Sequence, residues 1–434
     1  MQEDQPLRVA IIGGGIAGAC LMHALTKHKH LDAHIYEAAP TLKEAGYAVG
    51  VAKNAFQALS LIGPTAVDAL TRAGAVKQNR NTWMLGEGPD AGQEIDSIDF
   101  GLGDRIVRVA QRADFLRELL KDVAPERMHV NKKLVRIEQH TGDEWPVTLT
   151  FADGSTKVAN VVIGADGIHS YVRRYILGED DPAAKPRLTP WYNLWTMLPY
   201  EQARATIGPD LIDKDDLGQY MWWGDGTYMM HTISDNGRKV QFLACAMDPT
   251  LEGATEVDRT KGVDKEAEKE RFRNWPPNLY KAVVDFLDST PSPKPLHLWE
   301  HPHAHTYIRG PLALTGDAAH GTTPWQGSGG GMAVEDAPIL SALLGTTHTP
   351  REARLALQVY DEVRRPRTQA IVDSSRAVGM LSTGQDAGFG LSGEKLRGKV
   401  VGRWDFIAFW DCEGARDGAV RSLEGRLEGE RMGG

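Results

Sequence analysis

Near its N-terminus the chain carries the stretch LRVAIIGGGIAG, residues 7–18. Its apolar first half, residues 7–12, is typical of a strand buried inside a parallel sheet, and a helical stretch follows the glycines. Gly13, Gly15 and Gly18 have the G-x-G-x-x-G spacing. In this motif the first glycine allows a tight turn, the second lets the backbone approach a pyrophosphate, and the third lets the helix pack on the strand. The helix N-terminus then faces the phosphates, so the stretch predicts a dinucleotide site.

An acidic residue stands where such a site needs one. Glu37 ends a second strand-like run, residues 33–37, and follows Gly18 by 19 positions. A carboxylate at that place accepts hydrogen bonds from a ribose. A glycine triplet alone is weak evidence, but here its strand, helix and acid are all present. We therefore predict dinucleotide binding rather than a bare structural turn.

The buried-strand texture of residues 7–13 returns at 160–167 and at 311–317. Three such pieces predict one parallel sheet assembled from distant parts of an α/β chain. Residues 186–296 differ, because strand-like segments that hold several tryptophans alternate there. Within them, the charged stretch 250–274 is expected to be a surface helix.

These changes in texture predict three regions: a discontinuous Rossmann-like domain with a parallel sheet, an inserted β-sheet domain, and a helical C-terminal region. The predicted boundaries are 1–80, 102–185 and 297–375 for the Rossmann-like domain, 81–101 and 186–296 for the inserted domain, and 376–434 for the helical region.

The composition excludes several classes of protein. The 434 residues are 41% apolar and 25% charged, as in ordinary globular chains. The net charge of −9 disfavours a nucleic-acid partner, because phosphate binding relies on a basic patch. Three scattered cysteines, Cys20, Cys245 and Cys412, exclude a disulfide scaffold and a zinc ribbon. No leader is visible and no apolar run reaches the ~20 residues that span a bilayer, so we expect no membrane partner and a cytoplasmic location.

Two later motifs resemble parts of a ligand site. Asp317 follows a strand-like run and precedes a loop that contains Gly327, Gly329 and Gly330. An aspartate there is placed to hold a ribityl or ribose hydroxyl, while loop amides and a helix N-terminus stabilise negative charge. The third motif places Asp166 in the segment Gly-Ala-Asp-Gly-Ile-His-Ser. By itself, that segment is equally well explained as a strand-end turn with a helix cap.

The three motifs occur in the order and spacing of the single-component (group A) FAD-dependent aromatic hydroxylases, the p-hydroxybenzoate and salicylate hydroxylase type. The chain resembles this family over nearly its whole length. The resemblance implies that the N-terminal glycines and Glu37 bind the ADP half of FAD. It places Asp166 in a segment that serves both FAD and NAD(P)H, and it gives the ribityl chain to Asp317. It also implies flavin contacts for Gly50 within the segment 44–51, for Arg112, and for the glycines of the later loop.

The family's chemistry implies an enzyme in which NADPH or NADH reduces the flavin and O₂ forms a flavin C4a-hydroperoxide. One oxygen atom then goes to a small aromatic substrate, phenolic and salicylate-like, and the remaining protein partner would be at most a second copy (monomer or homodimer). The ring must be activated, typically by removal of a phenol proton. Tyr228 and His231 are the candidates for this catalytic role. On a strand, residues three apart point to opposite faces, so at most one of them should face the flavin.

Three tryptophans are the candidates for substrate binding. Trp325 precedes the flavin loop where the salicylate branch usually has histidine or phenylalanine. Trp195 stands where those enzymes often carry an arginine that anchors an anion, and Trp223 lies in the segment that leads to Tyr228. These departures favour a larger or more neutral ring, although Arg187 or Arg204 could still supply the anion anchor.

Other interpretations stay open. The same flavin chemistry could epoxidise an alkene or an indole, or dearomatise a phenol in secondary metabolism. A reductase without oxygen insertion is a further alternative, but disulfide reductases of that kind usually carry a CxxxxC pair and Cys20 stands alone. Four histidines at 297, 301, 303 and 305 lack the paired carboxylates or cysteines of a metal site, so we expect them to be solvated and predict no metal.

Overall fold

The computed structural model describes residues 5–42, 48–100, 106–140, 146–235 and 237–433. Strands in these residues are β1 (Leu7–Ile12), β2 (Leu31–Tyr36), β3 (Ala48–Ala52), β4 (Val76–Lys77), β5 (Arg80–Leu85), β6 (Glu94–Asp99), β7 (Val107–Gln111), β8 (Met128–His129), β9 (Leu134–Gln139), β10 (Val147–Phe151), β11 (Thr156–Ala159), β12 (Val161–Gly164), β13 (Arg187–Pro199), β14 (Gly218–Gly224), β15 (Thr227–Ser234), β16 (Lys239–Met247), β17 (Leu296–Glu300), β18 (Ile308–Arg309) and β19 (Leu312–Leu314). Helices are α1 (Ile16–Leu25), α2 (Lys53–Ile62), α3 (Pro64–Arg72), α4 (Arg112–Leu120), α5 (Tyr171–Leu177), α6 (Tyr200–Ile207), α7 (Lys265–Arg271), α8 (Pro277–Ser289), α9 (Asp317–His320), α10 (Gly329–Gly345), α11 (Pro350–Ser382), α12 (Gly393–Leu396), α13 (Asp405–Ala408) and α14 (Cys412–Gly433).

The first sheet has the strand order β18-β19-β12-β1-β2-β8. Strands β19, β12, β1, β2 and β8 run parallel, and only the short β18 is antiparallel. The three pieces with the same sequence texture are therefore neighbours, with β12 between β1 and β19. This confirms the predicted Rossmann-like parallel sheet. Since carboxyl ends of parallel strands share one edge, the loops after these strands meet there.

The second sheet has seven strands in the order β17-β13-β16-β15-β14-β5-β6. Residues 81–101 supply most of β5 and all of β6, and they pair with the later inserted segment through β14. The predicted boundary between residues 296 and 297 falls inside β17, which pairs with β13 in this sheet. The boundary between 375 and 376 falls inside α11. The inserted β-sheet is thus present, and three of the predicted domain boundaries cut regular elements: 80/81 in β5, 296/297 in β17 and 375/376 in α11.

Helices cover one face of each large sheet. Residues of α1, α2, α4, α10 and α14 pack with alternate residues of β1 and β2 in one apolar cluster. In the seven-stranded sheet, α6 and α8 cover the face that carries Trp222, Met229 and Phe242. The other face turns towards the loop before α10 and towards α11, the 33-residue helix that starts with a capping box at Thr349 and Glu352.

The expectation of a helix throughout 250–274 is wrong. Within that stretch, α7 (Lys265–Arg271) is the α-helix among the described residues, and a 3-10 turn covers 249–251. Gly253 has a φ of +79°, which ends regular structure there. Among the described residues, no helix is long and apolar enough to cross a membrane.

Candidate functional site

The turn after β1 has no room for side chains. Gly13 has a φ of +106°, and a Cβ on it would lie 2.3 Å from the carbonyl oxygen of Ala165. A Cβ on Gly18 would lie 2.1 Å from the carbonyl oxygen of Gly13. Gly15 is the N-cap of α1, and no side chain caps that first turn. The helix N-terminus is thus presented at the strand edge without bulk in front of it, as a bound phosphate requires.

Glu37 lies directly after β2 beside this turn. Its Oε2 accepts a hydrogen bond from the amide of Gly14 at 2.7 Å, and its Oε1 accepts one from the amide of Ala39 at 2.8 Å. The carboxylate is therefore oriented by backbone on both sides. The structure therefore places Glu37 next to the glycine turn with which the sequence analysis paired it.

Asp166 caps a helix. Its carboxylate accepts hydrogen bonds from Ser170 Oγ and from the amides of Tyr171 (2.7 Å) and Val172 (3.1 Å) at the start of α5. What reaches the glycine turn is the backbone of this segment, since the Asp166 Cα would lie 3.0 Å from a Cβ on Gly13. Burial raises the pKa of Asp166, although these hydrogen bonds oppose that effect.

Asp317 starts α9 and is exposed, although the residues on both sides of it are buried. Gly316 before it has a φ of +59°, and a Cβ there would lie 2.6 Å from the Cβ of Ala17 in α1. The early and late motifs therefore touch. They place the start of α9, at Asp317, beside the first turn of α1.

A buried carboxylate holds the Asp317 turn in place. Asp336 accepts hydrogen bonds from Thr315 Oγ1 (2.8 Å), the amide of Gly316 (3.0 Å), His320 Nε2 (2.8 Å) and Arg364 Nε (2.7 Å). Burial alone would raise the pKa of Asp336, but the charges of His320 and Arg364 outweigh it and the pKa is lowered. The ionised carboxylate therefore supports the turn at ordinary pH.

Sequence reasoning missed this network. Next to Asp336, Glu335 is also fully buried and pairs with Arg364 (2.9 Å) and Arg367 (3.0 Å), and it accepts a hydrogen bond from Asn54 (2.6 Å). The available signal was the pair Glu335-Asp336 inside the apolar run of α10, because adjacent acids within an apolar helix need buried partners.

The glycine loop before α10 meets the β3 strand. A Cβ on Gly330 would lie 2.9 Å from Cγ2 of Val49, whereas nothing lies within 4 Å of a Cβ on Gly50 or on Gly327. Strand β3 pairs with β7, and Arg112 follows β7 as the first residue of α4. Gly50, Arg112 and the loop glycines are thus neighbours at one edge; Gly329 lies in the first turn of α10. Residues 44–47 of the segment 44–51 lie outside the described residues.

Together these elements form a cradle that fits FAD. It contains Gly13 and Gly18, on which a Cβ would collide with backbone, it carries Glu37 and Asp317, and the helix N-terminus of α1 faces it. Backbone amides and a helix N-terminus suit a pyrophosphate, and the carboxylates suit ribose and ribityl hydroxyls.

An aromatic wall stands beside the glycine loop. Trp325, just before that loop, meets Tyr228 and Trp191 edge to face, with ring centroids 5.1 Å and 5.2 Å apart. Trp223 is the cross-strand partner of Tyr228. All four side chains are buried, and they belong to one apolar cluster on the open face of the seven-stranded sheet.

Two of the three indole N–H groups in this wall lack partners among the described residues, whereas that of Trp191 donates to Thr383 Oγ1. The indole N–H groups of Trp223 and Trp325 are buried and have no hydrogen-bond acceptor among the described residues. The Tyr228 hydroxyl likewise makes no hydrogen bond within the described chain. Burial, and to a smaller extent Cys245, raises the pKa of Tyr228 far above that of a free phenol, so its hydroxyl stays neutral.

His231 lies on the opposite face of β15. Its Nε2 accepts the indole N–H of Trp222 at 3.1 Å, and its ring stacks on Tyr220 under α6 and α8. Burial lowers the pKa of His231 to about 3. The structure therefore separates the two residues named as catalytic candidates, and only Tyr228 faces the glycine loop.

Trp195 lies apart from the wall on the same face. It is 37% exposed and lines a groove of about 270 Å³ with Ala48, Gln111 and Gln241. The two arginines considered as anion anchors lie elsewhere. Arg187 pairs with Glu300 (2.8 Å). Arg204 lies in α6, which covers the opposite face of the sheet, and donates a hydrogen bond to the carbonyl of Ile212.

The expectation that the four histidines are solvated is wrong for His301. That residue is 3% exposed, and its amide donates to the carbonyl of Gly321, the C-cap of α9. His303 and His305 pair with Asp373 and Asp181 at the surface.

Comparisons with known proteins agree with this cradle. A family described as an FAD binding domain matches residues 220–375. The 6-methylsalicylate 1-monooxygenase of Aspergillus terreus is 34% identical over 430 residues, which cover 97% of this chain and 93% of that protein. An FAD-dependent monooxygenase of Monascus ruber is 31% identical over 430 residues, 95% of each chain.

Solved structures agree as well. A salicylate hydroxylase substrate complex superposes with a TM-score of 0.81 at 27% identity, over 96% of this chain and 99% of that one. HpxO of Klebsiella pneumoniae, complexed with FAD and uric acid, has a TM-score of 0.73 at 24% identity over 95% of this chain and 97% of its own, a likeness of fold alone.

Proposed function

This chain belongs to the single-component FAD-dependent aromatic hydroxylases, flavoprotein monooxygenases of the salicylate hydroxylase type, and we propose that it uses NADPH or NADH with O₂ to hydroxylate a phenolic, salicylate-like ring. The observation that carries the proposal is the contact between the flavin loop and the aromatic wall. Trp325 belongs to the segment that leads into the glycine loop, and its ring contacts Tyr228 and Trp191 of the seven-stranded sheet.

The cradle residues would hold the cofactor. Gly13, Gly15 and Gly18 with Glu37 would bind its ADP half, and Asp317 would bind the ribityl chain. When bound, FAD supplies the redox chemistry, taking reducing equivalents from NAD(P)H and activating O₂; the detailed route implied by the family resemblance stays a prediction. The protein's own tasks are to position the ring, to orient its phenol and to exclude water.

Tyr228 is the residue that we assign to the substrate phenol. It stands in the wall next to Trp325, and its hydroxyl has no partner among the described residues. Because burial raises the pKa of Tyr228, it cannot serve as an ionised base near neutral pH. It acts instead through its neutral hydroxyl, which accepts the phenol hydrogen bond and so orients the ring.

Neutral donors support binding of an oxygen-bearing ring. The N–H of Trp223, one strand away from Tyr228, is available to a phenol, carboxyl or carbonyl oxygen. One cation borders the wall: the Arg376 guanidinium lies 5.8 Å from the ring centroid of Trp191, and it is paired with Glu300 (2.7 Å) and Glu252 (2.8 Å). A planar ring that packs edge-to-face with Trp325 and accepts one indole hydrogen bond matches this chemistry.

A panel of matched rings tests the proposal. The purified protein is loaded with FAD, and NADPH and NADH oxidation is measured with salicylate, 6-methylsalicylate, salicylamide, phenol and indole. The expected result is oxidation that rises many-fold with a phenolic ring and yields one hydroxylated product per reduced nucleotide. Comparing salicylate with its neutral amide, salicylamide, shows whether the site prefers the carboxylate anion.

The same panel separates the alternatives. A product that has gained one oxygen but lost its aromatic absorbance would favour a dearomatising or epoxidising enzyme. Reduced-nucleotide consumption that ends entirely in hydrogen peroxide with every ring, or in reduction of an added quinone, would contradict the proposal and favour a reductase.

A further inference from the structure

One face of α11 runs behind the aromatic wall. Ser375, Gly379 and Thr383 follow each other at intervals of four residues, so they lie along one side of the helix and its C-terminal end. Each of them touches a different part of the site. Ser375 Oγ donates to the carbonyl of Thr323 at 2.7 Å, just before the segment that carries Trp325.

Thr383 ties the substrate sheet to the same helix. Its Oγ1 accepts the indole N–H of Trp191 at 3.3 Å and donates to the carbonyl of Gly379 at 2.8 Å. Its backbone carbonyl accepts the amide of Gly226, at the tip of the turn between β14 and β15. Helix α11 and its C-cap therefore contact the wall at two places. Ser375 bonds to the segment before Trp325, and Thr383 bonds to Trp191.

Gly379 occupies the position between these two anchors. A Cβ there would lie 2.5 Å from Nε1 and 2.7 Å from Cδ1 of Trp325. Since Gly379 lies inside α11 with ordinary helical geometry, its backbone conformation does not require glycine, and alanine would favour the helix. The reason for glycine is space, because the edge of the indole rests directly on the helix backbone.

Trp325 has little freedom to move away. Trp191 and Tyr228 face it on the other side, and the next residue, Gln326, donates to the carbonyl of Arg403 at 2.9 Å. A methyl group at position 379 must move the indole by about 1 Å to reach an ordinary contact distance. Because Trp325 contacts Trp191 and Tyr228, that movement changes the shape of the aromatic wall.

We propose that Gly379 is a specificity-determining position, which sets the size of the aromatic ring that the enzyme accepts by letting Trp325 sit against α11. Gly379 acts through Trp325 and is a positioning residue. The inference rests on the proposed function, because it takes the aromatic wall as the substrate site.

Four variants of the FAD-loaded enzyme test this role: Gly379→Ala, Trp325→Phe, the double variant, and Gly425→Ala. Gly425 is the matched control, since it is an exposed helical glycine in α14 with nothing within 4 Å of an added Cβ. For each, the dissociation constants of salicylate and of the two-ring 1-hydroxy-2-naphthoate are measured by equilibrium dialysis, together with the melting temperature, kcat and KM.

The size profile is the decisive result. Gly379→Ala is expected to weaken salicylate binding about 10-fold and naphthoate binding about 100-fold, with the loss in KM more than in kcat. The smaller ring of Trp325→Phe leaves room for a methyl group at position 379. The double variant should therefore differ from Trp325→Phe by less than about 3-fold in either dissociation constant. Gly425→Ala should bind both rings like the wild type and melt slightly higher.

Two results overturn the inference while leaving the proposed function intact. One is a Gly379→Ala variant that matches the Gly425→Ala control in both dissociation constants. The other is a loss that is equal for the two rings and that Trp325→Phe does not relieve. A wild-type enzyme that binds and oxygenates no ring at all would instead overturn the proposed function, and the size-selection role with it.

Discussion

The two faces of the seven-stranded sheet are built from alternate residues of the same strands, and the adjacent tryptophans Trp222 and Trp223 differ in whether their indole N–H has an acceptor. On the face under α6 and α8, Trp222 donates to His231 at 3.1 Å, and Trp275 donates to Thr227 at 3.2 Å. On the face towards the flavin loop, Trp223 and Trp325 keep buried N–H groups without an acceptor among the described residues.

This difference distinguishes packing from function within one strand pair. A buried donor without a partner costs about 1–3 kcal/mol, so a sheet built for stability alone would pair it or replace it. The indole N–H groups of Trp222 and Trp275 meet that condition, and those of Trp223 and Trp325 do not. We infer that the groups of the open face are kept for a ligand, and that tyrosine and histidine three residues apart serve different purposes.

The largest expected effect comes from Tyr228→Phe. Losing the hydroxyl should lower kcat/KM for the best phenolic substrate about 10²-fold, because the ring loses the group that orients its phenol. Stability should change little, since the Tyr228 hydroxyl makes no hydrogen bond in the described chain. Steady-state kinetics and thermal unfolding measure both quantities, and an unchanged kcat/KM would remove Tyr228 from the site.

His231→Leu should do the reverse. The change leaves the Trp222 N–H buried without its acceptor, which should lower the free energy of unfolding by about 2 kcal/mol while kcat/KM stays at the wild-type value. Denaturant unfolding measures the loss. The double variant Trp222→Phe with His231→Leu removes both partners and should recover most of it; a large loss of kcat/KM in His231→Leu would mean that the helix-covered face takes part in catalysis.

The pH dependence of stability sharpens the same contrast. Burial lowers the pKa of His231 from 6.5 to about 3 in the folded protein, so below pH 6.5 the unfolded chain binds a proton that the folded chain refuses. Stability from this group is therefore complete at pH 8 and falls with decreasing pH, by about 1.4 kcal/mol at pH 5.5. Between pH 8 and pH 5.5, the free energy of unfolding of His231→Leu should therefore fall by about 1.4 kcal/mol less than that of the wild type. Equal losses would show that His231 titrates normally.

The smallest effect is expected for Trp223→Phe. Removing its unpaired N–H should weaken binding of an oxygen-bearing ring about 5-fold, roughly 1 kcal/mol, and should lower the melting temperature less than Trp222→Phe does, because only the latter also loses a hydrogen bond. The neighbouring Trp222→Phe is the matched control, and it should lower the melting temperature while leaving ring binding unchanged. If the two variants exchange these results, the assignment of the faces is reversed.

Much of the cofactor site was predictable from local patterns. The glycine spacing, the acid at position 37 and the recurrence of one strand texture correctly indicated a parallel sheet with its motifs at one edge. Each of these signals depends on neighbours in sequence, because turn geometry and strand burial are local requirements. The opposite orientation of Tyr228 and His231 followed from the period of a strand.

Other features had no local signal. The burial of His301 depends on its backbone contact with Gly321. The four donors gathered by Asp336 come from α9, its preceding turn and α11, which lie up to 28 residues away in sequence.

By itself, the amino-acid sequence determined the family, the FAD cradle and the alternation of two faces along the substrate strands, because those depend on motif spacing and on strand period. Only the tertiary structure decided which face meets the flavin loop, that Trp325 rests on Gly379, and that the guanidinium of Arg376 borders Trp191. The reason is physical: close packing joins side chains from distant segments, and no local pattern records which of them will share a surface.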